Sequence, residues 1–309
     1  MSTQRAHRHL FCFGHGYCCD YLGYELMQRG GWRISGTTRD KEKRKELRAR
    51  GVTAHIFDEG MPLADPLYMM RDATHILIST PPDDEGDPVF NVHMNDILQL
   101  PKLEWVGYLS TTGAYGDRSG GWVDEEAEVR PTTKRGSRRA KAEEQWLSMF
   151  KMEGLPVHIF RLAGIYGPGR SALDSVRAGV ARRIDKPGHA FSRIHVEDII
   201  QVLLASIAHP RPGAIYNVAD DLPAPSHEVI DYACQILNLP SPALIPFDKV
   251  DLAPITLSFY TDNKRIINDK IKTELGVHLK YPSYREGLQA CLDAEEHALH
   301  LFEGMNNHS

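Results

Sequence analysis

The chain of 309 residues is short of several things, and each shortage removes a class of function. No stretch approaches the roughly eighteen consecutive apolar residues of a membrane helix, so no membrane partner is expected. Positive charge is not in excess: 36 Lys and Arg stand against 41 Asp and Glu, a formal net charge of −5. Proteins that coat nucleic acid are basic, so no nucleic-acid partner is expected either. Cysteine is scarce. Cys12, Cys18, Cys19, Cys234 and Cys291 are odd in number and irregularly spaced, with no Cys-x-x-Cys pair for zinc or redox work. The apolar run Leu10 to Phe13 is too short for the core of a signal peptide, so reduced thiols in a cytoplasm are the expectation. The histidines are scattered, and His7 and His9 read as part of a loose tail, so no metal site is expected. No Gly-x-Ser-x-Gly elbow or ATP-type phosphate loop occurs, which leaves serine hydrolysis and ATP chemistry without support.

What is present is a regular alternation of elements. Leu10 to Phe13 is a short apolar run stopped by Gly14, and Leu22, Leu26 and Met27 then share one helical face. Trp32 to Thr37 and Val52 to Phe57 read as strands around a charged helix at Lys41 to Arg50. Thr74 to Ser79, Trp105 to Leu109 and Val157 to Leu162 continue the strands. Helices are expected near Val89 to Leu100 and over 137–153, with a long polar loop over 116–136. Strand and helix alternating at this spacing predict an α/β fold, a doubly wound parallel sheet. From about residue 164 the texture changes to Gly, Pro and Arg. A helix after Val196, a strand at Ala214 to Val218 and two closing helices near 262–274 and 283–303 are expected. The length suggests two units. Residues 1–165 form a nucleotide-binding domain whose sheet can receive later strands, and 166–309 form mainly a smaller C-terminal lobe.

Between the first strand and helix stands Phe13-Gly14-His15-Gly16-Tyr17-Cys18-Cys19. Gly14 suits the tight turn, and Gly16 lets a backbone approach a pyrophosphate at a helix N-terminus. Cys19 takes the place of a third glycine. Gly14, His15, Gly16, Tyr17 and Cys18 are therefore candidate cofactor contacts, unless the turn only packs. The second strand ends in Thr37-Thr38-Arg39. An NAD site usually carries an acid there, whereas two hydroxyls and a guanidinium suit a 2′-phosphate. NADP is favoured, with NAD as the alternative; Arg39 also reads as a solvated residue of the charged helix. Asp58 is placed to accept from an adenine amino group or to cap a turn. Ser79, Thr80 and Pro81 end the fourth strand at the same edge, and Ser110 ends the fifth.

Three further segments carry a resemblance. Leu109-Ser-Thr-Thr-Gly-Ala-Tyr-Gly116, Phe160-Arg-Leu-Ala-Gly-Ile-Tyr-Gly-Pro-Gly169 and Arg193-Ile-His-Val-Glu-Asp198 resemble, in order and spacing, the extended short-chain dehydrogenases/reductases of the NAD-dependent epimerase/dehydratase group. The resemblance covers roughly residues 8–300. It implies a Rossmann domain with a C-terminal substrate lobe, a nicotinamide cofactor, a small polar or anionic substrate and a homodimer. It also implies Thr111 as the hydroxyl that holds a substrate oxygen.

The family's Tyr-x-x-x-Lys pair is missing. Aligning Gly136 and Glu143 puts Arg135 at the Tyr position and Arg139 at the Lys position, so the chain resembles an atypical branch. Arginine does not shuttle protons at neutral pH. Arg135 and Arg139 then form a cationic site for a carboxylate or phosphate, or Arg135 is a solvated helix-start residue. Tyr115 and Tyr166 are phenols that follow strand ends, and each serves as a proton donor or as an aromatic wall. His195 reads as structural, and Arg161 calls for a carboxylate partner. Two functions follow: an oxidoreductase, epimerase or dehydratase with a non-standard site, or a nucleotide-binding sensor that lost the relay. Arg170, Arg177, Arg182, Arg183 and Lys186 suit an anionic ligand or a solvated face.

Overall fold

The computed structural model describes residues 8–306. The strands of the main sheet are β1 (Arg8–Phe13), β2 (Trp32–Thr38), β3 (Thr53–Ile56), β4 (His75–Ile78) and β5 (Trp105–Thr111); after the short β6 (Trp122–Val123) come β7 (Val157–Leu162) and, later, Ile215–Val218. Between them lie α1 (Tyr17–Arg29), α2 (Lys41–Ala49), α3 (Pro66–Met70), α4 (Pro88–Leu98) and α5 (Lys134–Glu153). The chain continues through β8 (Gly164–Tyr166), α6 (Ala172–Arg177), β9 (Arg183–Asp185), β10 (Arg193–His195), α7 (Val196–Ala208), β11 (Ile215–Val218) and α8 (Ser226–Ile236). It closes with β12 (Leu244–Pro246), α9 (Pro254–Thr261), β13 (Arg265–Ile266), α10 (Asp269–Leu275) and α11 (Tyr284–Asn306).

The seven-stranded sheet runs β11-β7-β5-β4-β1-β2-β3, and every pair in it is parallel. Strand alternation sorts the core. Leu10 and Cys12 join α1 and α7 on one face, while Phe11 and Phe13 join α4 and α5 on the other. Chain order reverses between β1 and β4, and open sheets of this kind bind ligands at the strand C-termini beside that reversal. Local signals set the helix starts there. Asp40 caps α2 by accepting from the Glu42 and Lys43 N–H groups, buried Asp87 caps α4, and Thr133 accepts from Gly136 to start α5.

A lobe core of Tyr166, Leu173, Val229, Ala233, Tyr284 and Leu288 packs beside the sheet. It uses two-stranded parallel pairs, β8 with β10 and β9 with β12, while β6 pairs with β13. Several expectations are corrected. His9 is not in a tail: it is buried in β1, 2.7 Å from the Ser35 hydroxyl. His7 lies outside the described residues. Helix α5 begins at Lys134 rather than 137, so Arg135 and Arg139 occupy its first two turns. The 116–136 loop contains β6. The segment around 262–274 is a strand and a helix, β13 and α10, not one helix. No helix among the described residues is long and apolar enough to cross a membrane.

Candidate cofactor and substrate site

The turn after β1 is built by short contacts. Gly14 has φ +79°, and a Cβ there would stand 2.9 Å from the Thr80 hydroxyl. Its N–H donates to the Thr37 hydroxyl at 2.8 Å, and the His15 N–H donates to the Thr37 carbonyl at 2.7 Å. Gly16 caps α1 with no side-chain partner for the first-turn N–H groups. Those donors and the helix dipole are what a pyrophosphate needs. The Thr80 hydroxyl is buried at the same turn without a partner in the protein. Glycine approach, bare helix start and unpaired hydroxyl together fit a dinucleotide. The other turn residues are used structurally. The Tyr17 hydroxyl donates to the Pro168 carbonyl at 2.9 Å, the His15 ring lies on Gly36 with Nε2 3.1 Å from Asp20, and the Cys18 side chain is buried.

Beside the turn is a cavity of about 360 Å³ lined by Gly14, His15, Gly16, Thr38, Arg39 and Asp58, with Ser79, Thr80 and Pro81 on its other side. Thr37 and Thr38 both line this cavity beside Arg39; the Thr37 hydroxyl oxygen accepts from the Gly14 N–H at 2.8 Å and the Thr38 hydroxyl oxygen from the Asp40 N–H at 3.2 Å. Asp40 spends its carboxylate on capping α2.

A larger cavity of about 1050 Å³ opens at the C-terminal ends of β5 and β7 and reaches into the lobe. Thr111, Arg135 and Arg139 line it. Arg139 donates to the Leu109 carbonyl at 2.7 Å and to the Tyr108 hydroxyl at 3.3 Å, so its guanidinium is fixed against the strand end. Arg135 stacks over the Phe259 ring, 4.3 Å from its centroid. The Thr111 hydroxyl accepts from Gly113 N–H at 3.1 Å.

Tyr115 does not reach the cavity. It is fully buried, its hydroxyl donates to Asn217 at 2.7 Å, and burial pushes its phenol up to about 12. The proton-donor expectation for Tyr115 is therefore corrected to a structural one. Ser110 lines the cavity and its hydroxyl donates to the buried Glu143, which is the partner that Arg161 called for, at 2.7 Å. His195 caps α7 by accepting from the Glu197 N–H, and burial holds its pKa at about 4. Tyr166 lines the cavity, but its hydroxyl donates to the Ser283 carbonyl at 3.3 Å.

The charge lining this cavity is one-sided. Arg135, Arg139, Arg170, Arg182, Arg193 and Lys264 face it against Asp251 and Asp262. Of the basic lobe residues singled out in the sequence, Arg170 and Arg182 are at the cavity. Arg177 pairs with Glu295, Arg183 with Asp231 at 3.3 Å, and Lys186 donates to the Tyr260 carbonyl. Arg193 and Lys264 were missed. Arg193 stands in a quoted motif, but nothing local to Lys264 distinguishes it from a surface lysine.

No family model matches the chain. A functionally unknown conserved protein from Silicibacter pomeroyi DSS is 50% identical over 93% of this chain and 99% of that one, with a TM-score of 0.84. Protein YeeZ of Escherichia coli K12 is 26% identical over 85% of this chain and 93% of its own. A 3-diazoavenalumate denitrifying reductase of a Streptomyces species is 30% identical over 48% of this chain and 51% of its own. In fold the chain is similar to dTDP-glucose 4,6-dehydratase of Bacillus anthracis in complex with NAD, at TM-score 0.74 and 18% identity, covering 94% and 96%. The chain therefore belongs to one family with the Silicibacter pomeroyi protein, and its fold is that of the extended short-chain dehydrogenases/reductases of the epimerase/dehydratase group.

Proposed function

We propose that the protein is an NAD(P)-dependent oxidoreductase, epimerase or dehydratase that acts on a small anionic substrate. The observation that carries this reading is the placement of two cavities along one sheet edge: a glycine turn with a bare helix start, and a cationic chamber beside it. When bound, a nicotinamide cofactor supplies hydride chemistry. In this reading Gly14, His15, Gly16, Tyr17 and Cys18 present their backbone to the pyrophosphate. Asp58 accepts from the adenine, and Ser79, Thr80, Pro81 and Ser110 border the cofactor's path. Arg135 and Arg139 hold the substrate anion, and Thr111 meets its oxygen. The reductase and the NAD-bound dehydratase support the chemistry by similarity. The diphosphate of a nucleotide sugar or the carboxylate of a carbonyl compound suits the basic lining of the chamber. We further propose a cytoplasmic homodimer; the five cysteines are free and buried.

Arg39 and Thr38 support NADP over NAD. A charge-assisted contact to the 2′-phosphate is worth about 1.5–3 kcal/mol. Arg39→Ala is accordingly expected to raise the NADPH Kd roughly tenfold or more and leave NADH unchanged, as read by cofactor fluorescence. An unchanged NADPH/NADH ratio removes the 2′-phosphate assignment. Arg135→Ala is expected to weaken binding of an anionic ligand such as UDP-glucuronate, followed by calorimetry, without changing the NADPH Kd. Loss of cofactor affinity in that variant instead assigns Arg135 to the cofactor.

The sensor reading keeps one specific support: no tyrosine stands at the α5 position, and Tyr115 is sealed in the core. Tight NADPH binding with no loss of absorbance at the dihydronicotinamide band, against a broad panel of anionic carbonyls, selects the sensor.

A further inference from the structure

The larger cavity has many charges and few groups that exchange a proton. Its guanidinium groups stay protonated at any physiological pH. The Tyr166 phenol is pushed far up by burial and is tied to Ser283. Lys264 and Asp262 are a different case. The Lys264 side chain is 10% exposed, and its Nζ lies 3.3 Å from Asp262 Oδ2. The other Asp262 oxygen accepts from the Thr132 hydroxyl, three residues before Arg135. The amine is thus anchored beside the start of α5, on the wall that also carries Arg135.

The segment bearing the pair is pinned on both sides. The Asn263 N–H donates to Asp117 Oδ1 at 2.7 Å, its Nδ2 donates to the Gly188 carbonyl at 3.0 Å, and its carbonyl accepts from the Arg118 and Gly120 N–H groups. Arg265 then pairs with β6. The groups facing the amine are Asp262 and Asp117, with Arg118 and the His189 ring on the cationic or neutral side. Burial lowers the Lys264 pKa, against the raising effect of Asp262. A lysine that is desolvated and rigidly placed in a ligand cavity gives up its proton more readily than one on the surface.

We propose that Lys264, held by Asp262, is the proton-donating residue of this cavity, serving an anionic carbonyl substrate. This rests on the oxidoreductase reading above. A reduced nicotinamide bound at the glycine turn would supply the hydride to the carbonyl carbon, and the C=O π pair would move onto oxygen. Nζ would give that oxygen its proton, leaving a neutral amine beside Asp262 for solvent to reprotonate.

The test uses the full-length protein and pyridoxal 5′-phosphate, an anionic aldehyde. The imine is trapped by borohydride and mapped by peptide mass. Lys264 is expected to be the leading site of modification, with a labelling midpoint at lower pH than that of exposed lysines, and inorganic phosphate is expected to slow its labelling. Asp262→Asn is expected to move the midpoint lower still, because the carboxylate that favours the ammonium is gone. Lys264→Arg removes the label from that peptide. Label confined to exposed lysines, or a Lys264 midpoint equal to theirs, overturns the proposal while NADPH binding leaves the oxidoreductase reading standing. Lys264 labelled at low midpoint in a protein that binds neither NADPH nor NADH overturns the oxidoreductase reading instead.

Discussion

Glu143→Ala is expected to cost the protein about 3–5 kcal/mol of stability, a large part of the 5–15 kcal/mol that a folded domain has. Glu143 and Arg161 are 4% and 3% exposed in their side chains. The carboxylate accepts from Arg161 Nε and Nη2 and from the Ser110 hydroxyl. Without it, a guanidinium that stays charged is left in a low-dielectric interior. Its Nη1 already has no hydrogen-bond partner in the protein, and the Tyr115 ring, 4.7 Å away, is the remaining compensation. Glu143→Gln keeps the shape and acceptor but not the charge, so it should fall between wild type and Ala. Replacing both partners, Glu143→Leu with Arg161→Met, should cost less than the single change, because no unpaired charge remains. Urea unfolding reads all four proteins. A loss under about 1 kcal/mol for Glu143→Ala would show that water or rearrangement satisfies Arg161.

The second large effect falls on the cofactor. Gly14→Ala should weaken NADPH and NADH alike by about a hundredfold or more. A non-glycine residue at φ +79° is strained by about 1–3 kcal/mol. Its methyl would also meet the Thr80 hydroxyl at 2.9 Å and the Thr80 backbone nitrogen at 3.0 Å, so the turn must shift. Shifting it misdirects the N–H groups of α1. Gly16→Ala gives the contrast. Its φ is −107° and the nearest neighbour of an added Cβ is 3.9 Å away, so the fold accepts the methyl. There the added carbon would occupy space open to the phosphate. Calorimetric affinities with thermal unfolding separate the cases: Gly14→Ala loses both stability and affinity, Gly16→Ala mainly affinity. Retained affinity in Gly14→Ala would remove the turn from the site.

The sheet was readable where a strand is an apolar run stopped by Gly, as in Leu10 to Phe13 before Gly14, which lies within the strand Arg8–Phe13. The short pairs were not readable. Two or three residues, as in Trp122–Val123 and Arg265–Ile266, carry no periodicity, and their pairing joins segments far apart in the chain. The Gly14–Gly16 turn showed itself by local spacing alone. The Glu143–Arg161 pair was half visible: a charge inside an apolar strand demands a partner, but only packing of α5 on the sheet says which one. Lys264 was invisible. Its carboxylate partner Asp262 is anchored by Thr132, a residue far away in the chain, and that meeting exists only in the folded protein.

The outermost strand of the sheet also bears on how the protein is made. β11 pairs with β7 from Ile215 through Val218, after the chain has visited the lobe through β8, α6, β9 and β10. A ribosome releases the cofactor half first, with β7 as a raw apolar edge bearing Val157, Ile159 and Phe160. That edge stays open to neighbouring nascent chains until the first part of the lobe has been translated. A truncation at residue 165 would keep the edge open permanently, and such fragments are expected to collect in inclusion bodies.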